Sequence, residues 1–167
     1  MVHIAISIFV IILVCHSGVW RQWKQYHTTI LFFGLMELEY NLITSIKNYY
    51  LWKLISDISI SRFFVVNLYV VIIFPCTVLL YLSKFPQGLK KQIVYVFQWV
   101  AIYTFIEWIG NLFHNICYFN GWSIWKSLIF NIVLFFGLIL HHKRPLVAYI
   151  VFIIVTMLGI WALKILI

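Results

Sequence analysis

Acidic residues are almost missing from this chain. Four Asp and Glu stand against twelve Lys and Arg, and only 10% of the 167 positions are charged. So little charge beside 65% hydrophobic residues excludes an ordinary water-soluble domain, which could not bury that much apolar surface. Cysteine is scarce as well. Cys15, Cys76 and Cys117 show no Cys-x-x-Cys spacing and no His at ligand intervals, so neither a metal site nor a disulfide framework is expected. Cys15 and Cys76 fall in apolar runs and read as small fillers. Also lacking are His-Glu-x-x-His, Gly-x-Ser-x-Gly, a paired-Asp motif and a phosphate loop, which argues against an intramembrane enzyme and implies no cofactor. The formal charge of +8 is scattered over separate connecting segments rather than gathered into a stripe, which argues against nucleic acid as a partner.

What is abundant is long apolar sequence. Six candidate spans stand out at about Val2–Trp20, His27–Ile46, Phe63–Leu82, Gln92–Phe113, Ser123–Leu140 and Leu146–Leu166. Each is close to the ~20 residues that a spanning helix needs. The breaks between them join charges to turn residues, as in Ser83-Lys84-Phe85-Pro86-Gln87-Gly88 and His141-His142-Lys143-Arg144-Pro145. The expected fold is therefore all-α: a polytopic integral membrane bundle of about six helices in one domain over 1–167, multi-pass in a cell membrane. Short connections predict antiparallel packing of sequential neighbours. The first run has no Lys or Arg before it and carries the bulky Val14 before Cys15, so it reads as a mature span rather than a cleaved signal.

Aromatic residues make up 20% of the chain, and many flank the apolar runs, where interfacial belts form. Connections after the first, third and fifth spans hold Arg21, Lys24, Lys84, Lys90, Lys91, Lys143 and Arg144; the opposite side holds Lys47, Lys53, Arg62, Lys126 and Lys164. The positive-inside rule places both termini outside. The turn His141-His142-Lys143-Arg144 reads as a basic interfacial segment touching lipid phosphates.

Three of the four acidic residues, Glu37, Glu39 and Glu107, lie inside spans, and Asp57 is placed in a loop. A carboxylate at mid-membrane costs roughly 2.5–3.5 kcal/mol on insertion scales, so such groups face a bundle interior or a partner. In the second span Glu37, Tyr40, Asn41 and Thr44 fall at i, i+3, i+4 and i+7 and share one face. Glu39 sits about 200° around from Glu37, on a different side. On the fourth helix Tyr103, Glu107 and Asn111, with His114 just past the end of the span, again repeat at helical spacing. Lys126, near the start of the fifth span, has the depth to pair with Glu107 and keep it ionised, with Asn131 following on the same helix. Glu37 has no evident cation at its depth and is expected to be neutral, a hydrogen-bond donor or a proton carrier. Pro75 frees the Val71 carbonyl and permits a kink.

The run Thr29-Ile30-Leu31-Phe32-Phe33 with Glu37 and Tyr40-Asn41, then Ile73-Phe74-Pro75-Cys76-Thr77, then Glu107-Trp108, Asn120-Gly121-Trp122, Trp125, Ser127 and Phe130-Asn131 resembles small multi-spanning membrane proteins of spore-forming Gram-positive bacteria. The resemblance covers most of the chain and implies a bacterial plasma membrane protein without implying a reaction. Glu37 matches an acidic position of that pattern, while Glu39 departs from it.

Two functional readings follow. The polar faces, with Glu37, Tyr40, Asn41, Tyr103, Glu107, Asn111, Lys126 and Asn131 as candidate site residues, suit a small transporter or a transporter subunit. Without duplicated halves, such a protein would work as a homo-oligomer or with a membrane-protein partner. Alternatively the chain is a non-catalytic membrane component binding a protein or lipid, its polar residues fixing helix packing at roughly 0.6–2 kcal/mol each.

Overall fold

A computed structural model describes residues 2–46, 48–55 and 61–162. Lys47, Asp57, Lys164 and the last residues of the sixth expected span lie outside them. The helices are α1 (Val2–Ser17), α2 (Trp23–Ile46), α3 (Arg62–Ser83), α4 (Leu89–Leu112), α5 (Ile124–Lys143) and α6 (Pro145–Ala162). An all-α bundle is therefore the architecture, and α2 to α6 are long and apolar enough to cross a bilayer. The first helix is the exception among the six expected spans. Its 16 residues rise only about 24 Å, short of the ~30 Å hydrocarbon thickness. Gly18 explains why: it adopts a left-handed φ of 69°, the helix stops, and a 3₁₀ turn over Val19–Gln22 leads straight into α2.

Lipid removes most of the hydrophobic drive between helices, so close fit has to hold them together. Here α2 lies against α3 and α5, α5 also receives α4 and α6, and α1 packs on α3. Sequence neighbours α3 and α4 meet through aromatic side chains rather than close backbone packing, with Tyr95 OH donating to Tyr81 O at 3.1 Å. The Tyr81 ring lies 5.6 Å from both Tyr95 and Trp99 and 4.9 Å from Phe135. Tyr81, Val78, Phe135 and Leu138 are fully buried at this point. Elsewhere Phe33 stacks on Phe74 with centroids 4.1 Å apart, joining α2 to α3.

The expected disturbance at Pro75 is present in a defined form. Residues Tyr69–Ile73 form a π-helical segment that ends directly before Phe74-Pro75. Widening the helix by one residue accommodates a position that cannot donate to the regular ladder.

Between the helices, β1 (Trp52–Leu54) pairs antiparallel with β2 (Ile116–Tyr118), placing Trp52 opposite Tyr118 and Leu54 opposite Ile116. This ribbon joins the connection after α2 to the connection after α4. It lies at the end of the bundle opposite the turns that hold Lys84, Lys90 and Lys143.

Candidate functional site

Both helices that carry glutamate end in the same way. At the end of α2, Asn48 has φ 53°, Asn48 N donates to Ser45 O at 3.3 Å and Tyr49 N to Thr44 O at 2.9 Å. At the end of α4, His114 has φ 57°, His114 N donates to Asn111 O at 3.1 Å and Asn115 N to Gly110 O at 2.8 Å. Each is a paired 5→2 and 6→1 closure about a left-handed residue, which caps the last carbonyls and turns the chain back over its own helix. The returning segments become β1 and β2. Asn115 O then accepts from Ile55 N at 2.9 Å, Leu51 O from Phe119 N at 2.8 Å, and Tyr50 O from the Asn120 side chain at 2.8 Å.

Close return of the second segment depends on Gly110. A Cβ there would lie 2.9 Å from Ile116 Cδ1, whereas one at Gly137 would meet nothing within 4 Å. Gly110→Val is accordingly expected to destabilise the protein by about 1–3 kcal/mol, with Gly137→Val nearly silent. Thermal unfolding of the two variants in detergent tests this, and equal melting shifts would contradict it.

Beneath the ribbon are two polar clusters. In the first, Asn41 Nδ2 donates to Glu37 Oε1 at 2.8 Å and to Glu37 O at 2.9 Å, while Asn41 Oδ1 accepts from Arg62 Nη2 at 3.1 Å. Glu37 is also within electrostatic reach of Arg62 and Tyr69. The expectation that Glu37 has no cation near it is corrected: Arg62, at the start of α3, folds inward over Tyr50, its guanidinium carbon 4.2 Å from the ring centroid. Lys53 Nζ lies 3.9 Å from the same ring. Tyr69 in turn meets His3 Nδ1 at 3.2 Å, and His3 Nε2 donates to Ile55 O at 2.9 Å. Tyr40 holds β1 directly. Its hydroxyl accepts from Leu51 N at 3.1 Å and Trp52 N at 2.9 Å and donates to Trp52 O at 2.8 Å, and its ring stacks on Trp52 at 3.9 Å.

In the second cluster, Glu107 Oε1 accepts from Tyr118 OH at 3.1 Å and from Ser127 Oγ, and Ser127 accepts from Trp122 Nε1 at 2.8 Å. Asn131 donates to Thr104 Oγ1 at 3.2 Å and its amide also neighbours Glu107. Asn111 donates to Ile116 O at 3.0 Å, tying α4 to β2. Tyr118, on the ribbon, has its phenol held above the usual range by burial and then by the charge of Glu107, so it stays a donor.

The expected Glu107–Lys126 ion pair does not form. Lys126 Nζ instead donates to Gly121 O, and its neighbour Ser127 faces Glu107. One residue is about 100° around a helix, enough to exchange the two roles. Tyr103 belongs to neither cluster and bonds Thr77 of α3. His114 is exposed at its left-handed position rather than extending the Glu107 face. Glu37 and Glu107 also lie on helices that do not pack together, since α5 intervenes.

Sequence reasoning missed Arg62, Tyr118, Ser127 and Trp52 as partners. Ser127 and Asn131 stand at i and i+4 on α5, a readable signal, whereas Tyr118 is brought to Glu107 by the ribbon and Arg62 meets Asn41 and Tyr50 only in the packed bundle. The basic-turn reading is also revised at one residue. His141 is 2% exposed, meets Thr29 Oγ1 at 3.0 Å through Nδ1 and stacks on Phe32 at 4.2 Å, so it belongs to the interior. Comparison with protein families, characterised proteins and solved structures finds no match to this chain.

Proposed function

We propose that this chain is a non-catalytic membrane component that holds a short β-ribbon at the membrane surface for a protein partner, its intramembrane polar residues serving that architecture. One observation carries the reading. Glu37, Tyr40, Asn41, Tyr103, Glu107, Asn111, Lys126 and Asn131 all make hydrogen bonds inside the chain. A transport site needs polar atoms directed at a passing ligand. Six of them are instead directed at neighbouring helices and at the ribbon, while Glu37 is bonded to Asn41 of its own helix and Lys126 to Gly121 in the connection before α5. Bonds between helices fix packing in lipid.

A second reading, a small transporter or transporter subunit, is supported by the polar chain that links Arg62, Asn41 and Glu37 to the neighbourhood of Tyr69 and His3 across α1, α2 and α3. Glu37→Gln distinguishes the two. The amide oxygen can still accept from Asn41, so the variant is expected to reach the membrane at normal abundance and melt within about 1 kcal/mol of the parent. Reconstituted in vesicles with a pH-sensitive dye, parent and Glu37→Gln should both match empty vesicles. Proton flux in the parent that vanishes in a well-folded Glu37→Gln would establish the carrier reading instead, and Glu39→Gln provides the control.

A further inference from the structure

We propose that the seam between α3 and α4 is a binding site for one anionic phospholipid, with its phosphate at Lys84, Lys90 and Lys91 and an acyl chain along Leu80, Trp99 and Ile102. The separation of α3 from α4 leaves an open groove of about 500 Å³ that Leu80, Lys84, Trp99 and Ile102 help to line. A second hollow of about 360 Å³ continues it past Tyr95 and Gln98 to Lys90, Lys91 and Pro86. From Lys91 to Ile102 the groove wall rises about 16 Å along α4, half of the ~30 Å hydrocarbon thickness. That is the depth of one leaflet, so a single chain fits it from end to end.

Charge selects the headgroup. Lys84, Lys90 and Lys91 are all exposed at the groove mouth. The first turn of α4 contains no acidic residue, so Lys90 and Lys91 sit beside the positive end of the helix dipole, an arrangement that an anion relieves. Among the described residues no acidic group stands there: Glu37, Glu39 and Glu107 all lie in the halves of α2 and α4 nearer the ribbon, toward the other end of the bundle. Gln98 is exposed along the groove, seven residues or about 10 Å beyond Lys91 on α4, beside the path of the acyl chain. By the distribution of Lys and Arg this is the cytoplasmic side, where anionic lipids attract juxtamembrane basic residues. The site uses no residue of the ribbon or its clusters, so it stands or falls independently of the ribbon reading.

Native mass spectrometry of the purified protein with phosphatidylglycerol, phosphatidylcholine and inorganic phosphate tests the proposal. Each surface lysine contributes about fivefold to binding an anionic lipid, so the phosphatidylglycerol adduct should weaken on the order of a hundredfold in Lys84→Gln/Lys90→Gln/Lys91→Gln. Ala101→Trp, which fills the groove and leaves the charges, should abolish the preference for one bound lipid, and inorganic phosphate should not compete. Equal retention of phosphatidylglycerol and phosphatidylcholine by the parent would overturn the site, as would unchanged binding by the triple variant. Persistence of the adduct in Ala101→Trp would reduce it to a surface charge effect and so overturn it too.

Discussion

Tyr40→Phe should detach the first strand of the ribbon while leaving the helices in place. The substitution keeps the ring that stacks on Trp52 at 3.9 Å and removes only the hydroxyl. That oxygen is the acceptor for two backbone donors, Leu51 N and Trp52 N, and donates to Trp52 O. Leaving a buried donor without an acceptor costs about 1–3 kcal/mol. Leu51 is 4% exposed and pays this in full, whereas half-buried Trp52 recovers part of it from water. A loss of about 2–4 kcal/mol is therefore expected, large against the 5–15 kcal/mol typical of whole domains. Hydrogen exchange should show it directly, with the amides of Leu51, Trp52 and Phe119 opening faster and those of α5 unchanged. Unaltered exchange at Leu51 and Trp52 would show that the ribbon is held by strand pairing alone.

Strand pairing alone is a poor candidate for that task. Three-residue strands in a two-stranded ribbon are marginal in water, and β1–β2 has only three paired positions. Its persistence rests on attachments at both edges: Tyr40 and the Asn48 closure on the α2 side, Glu107, Asn111 and the His114 closure on the α4 side. Trp52 adds a central contact, with Trp122 at 5.0 Å and Phe130 at 5.2 Å. Glu107 thus lies where a helix end meets a weak extended element, while Glu37 stands nine residues before the end of α2 and is bonded to Asn41 of its own helix. Polar atoms are needed at that junction because strand backbone near the bilayer must be satisfied internally.

How much of this was legible depended on the range of each interaction. Spans were readable because lipid demands unbroken apolar runs of fixed length, and α3 begins at Arg62, one residue before the expected Phe63. The first span was overextended because apolar character continues through Val19 and Trp20, while the helix stops at Gly18 for a backbone reason. Period-2 alternation cannot show in three residues, so Trp52-Lys53-Leu54 and Ile116-Cys117-Tyr118 read as loops. Their pairing joins segments more than sixty residues apart, which no local pattern encodes. The Tyr40–Asn41 face was readable from helical spacing. The cation at Glu37 is not, because Arg62 reads as a topological charge at a helix end, and its contacts with Tyr50 and with Asn41, twelve and twenty-one residues away, are set by tertiary packing.

The second cluster yields the sharper separation of structure from charge. Glu107→Leu removes the acceptor shared by Tyr118 and Ser127, and Ser127 is 2% exposed with no water to replace it. Two stranded donors at about 1–3 kcal/mol each predict a loss of roughly 2–6 kcal/mol. Leucine in turn recovers little, because between membrane helices burial adds only close packing. Trp122 should report the change, since its indole N–H bonds to Ser127 at 2.8 Å and a reoriented hydroxyl alters that environment. Glu107→Gln should behave differently. Its amide oxygen can accept both bonds, and the Tyr118 phenol, whose ordinary range already lies well above neutral pH, remains a donor to it. A stability within about 1 kcal/mol of the parent and an unchanged Trp122 emission are expected. If Glu107→Gln proves as damaging as Glu107→Leu, the negative charge itself is what the cluster requires. The carboxylate would then be more than a fastening for the ribbon, and the transport reading would move ahead of the scaffold.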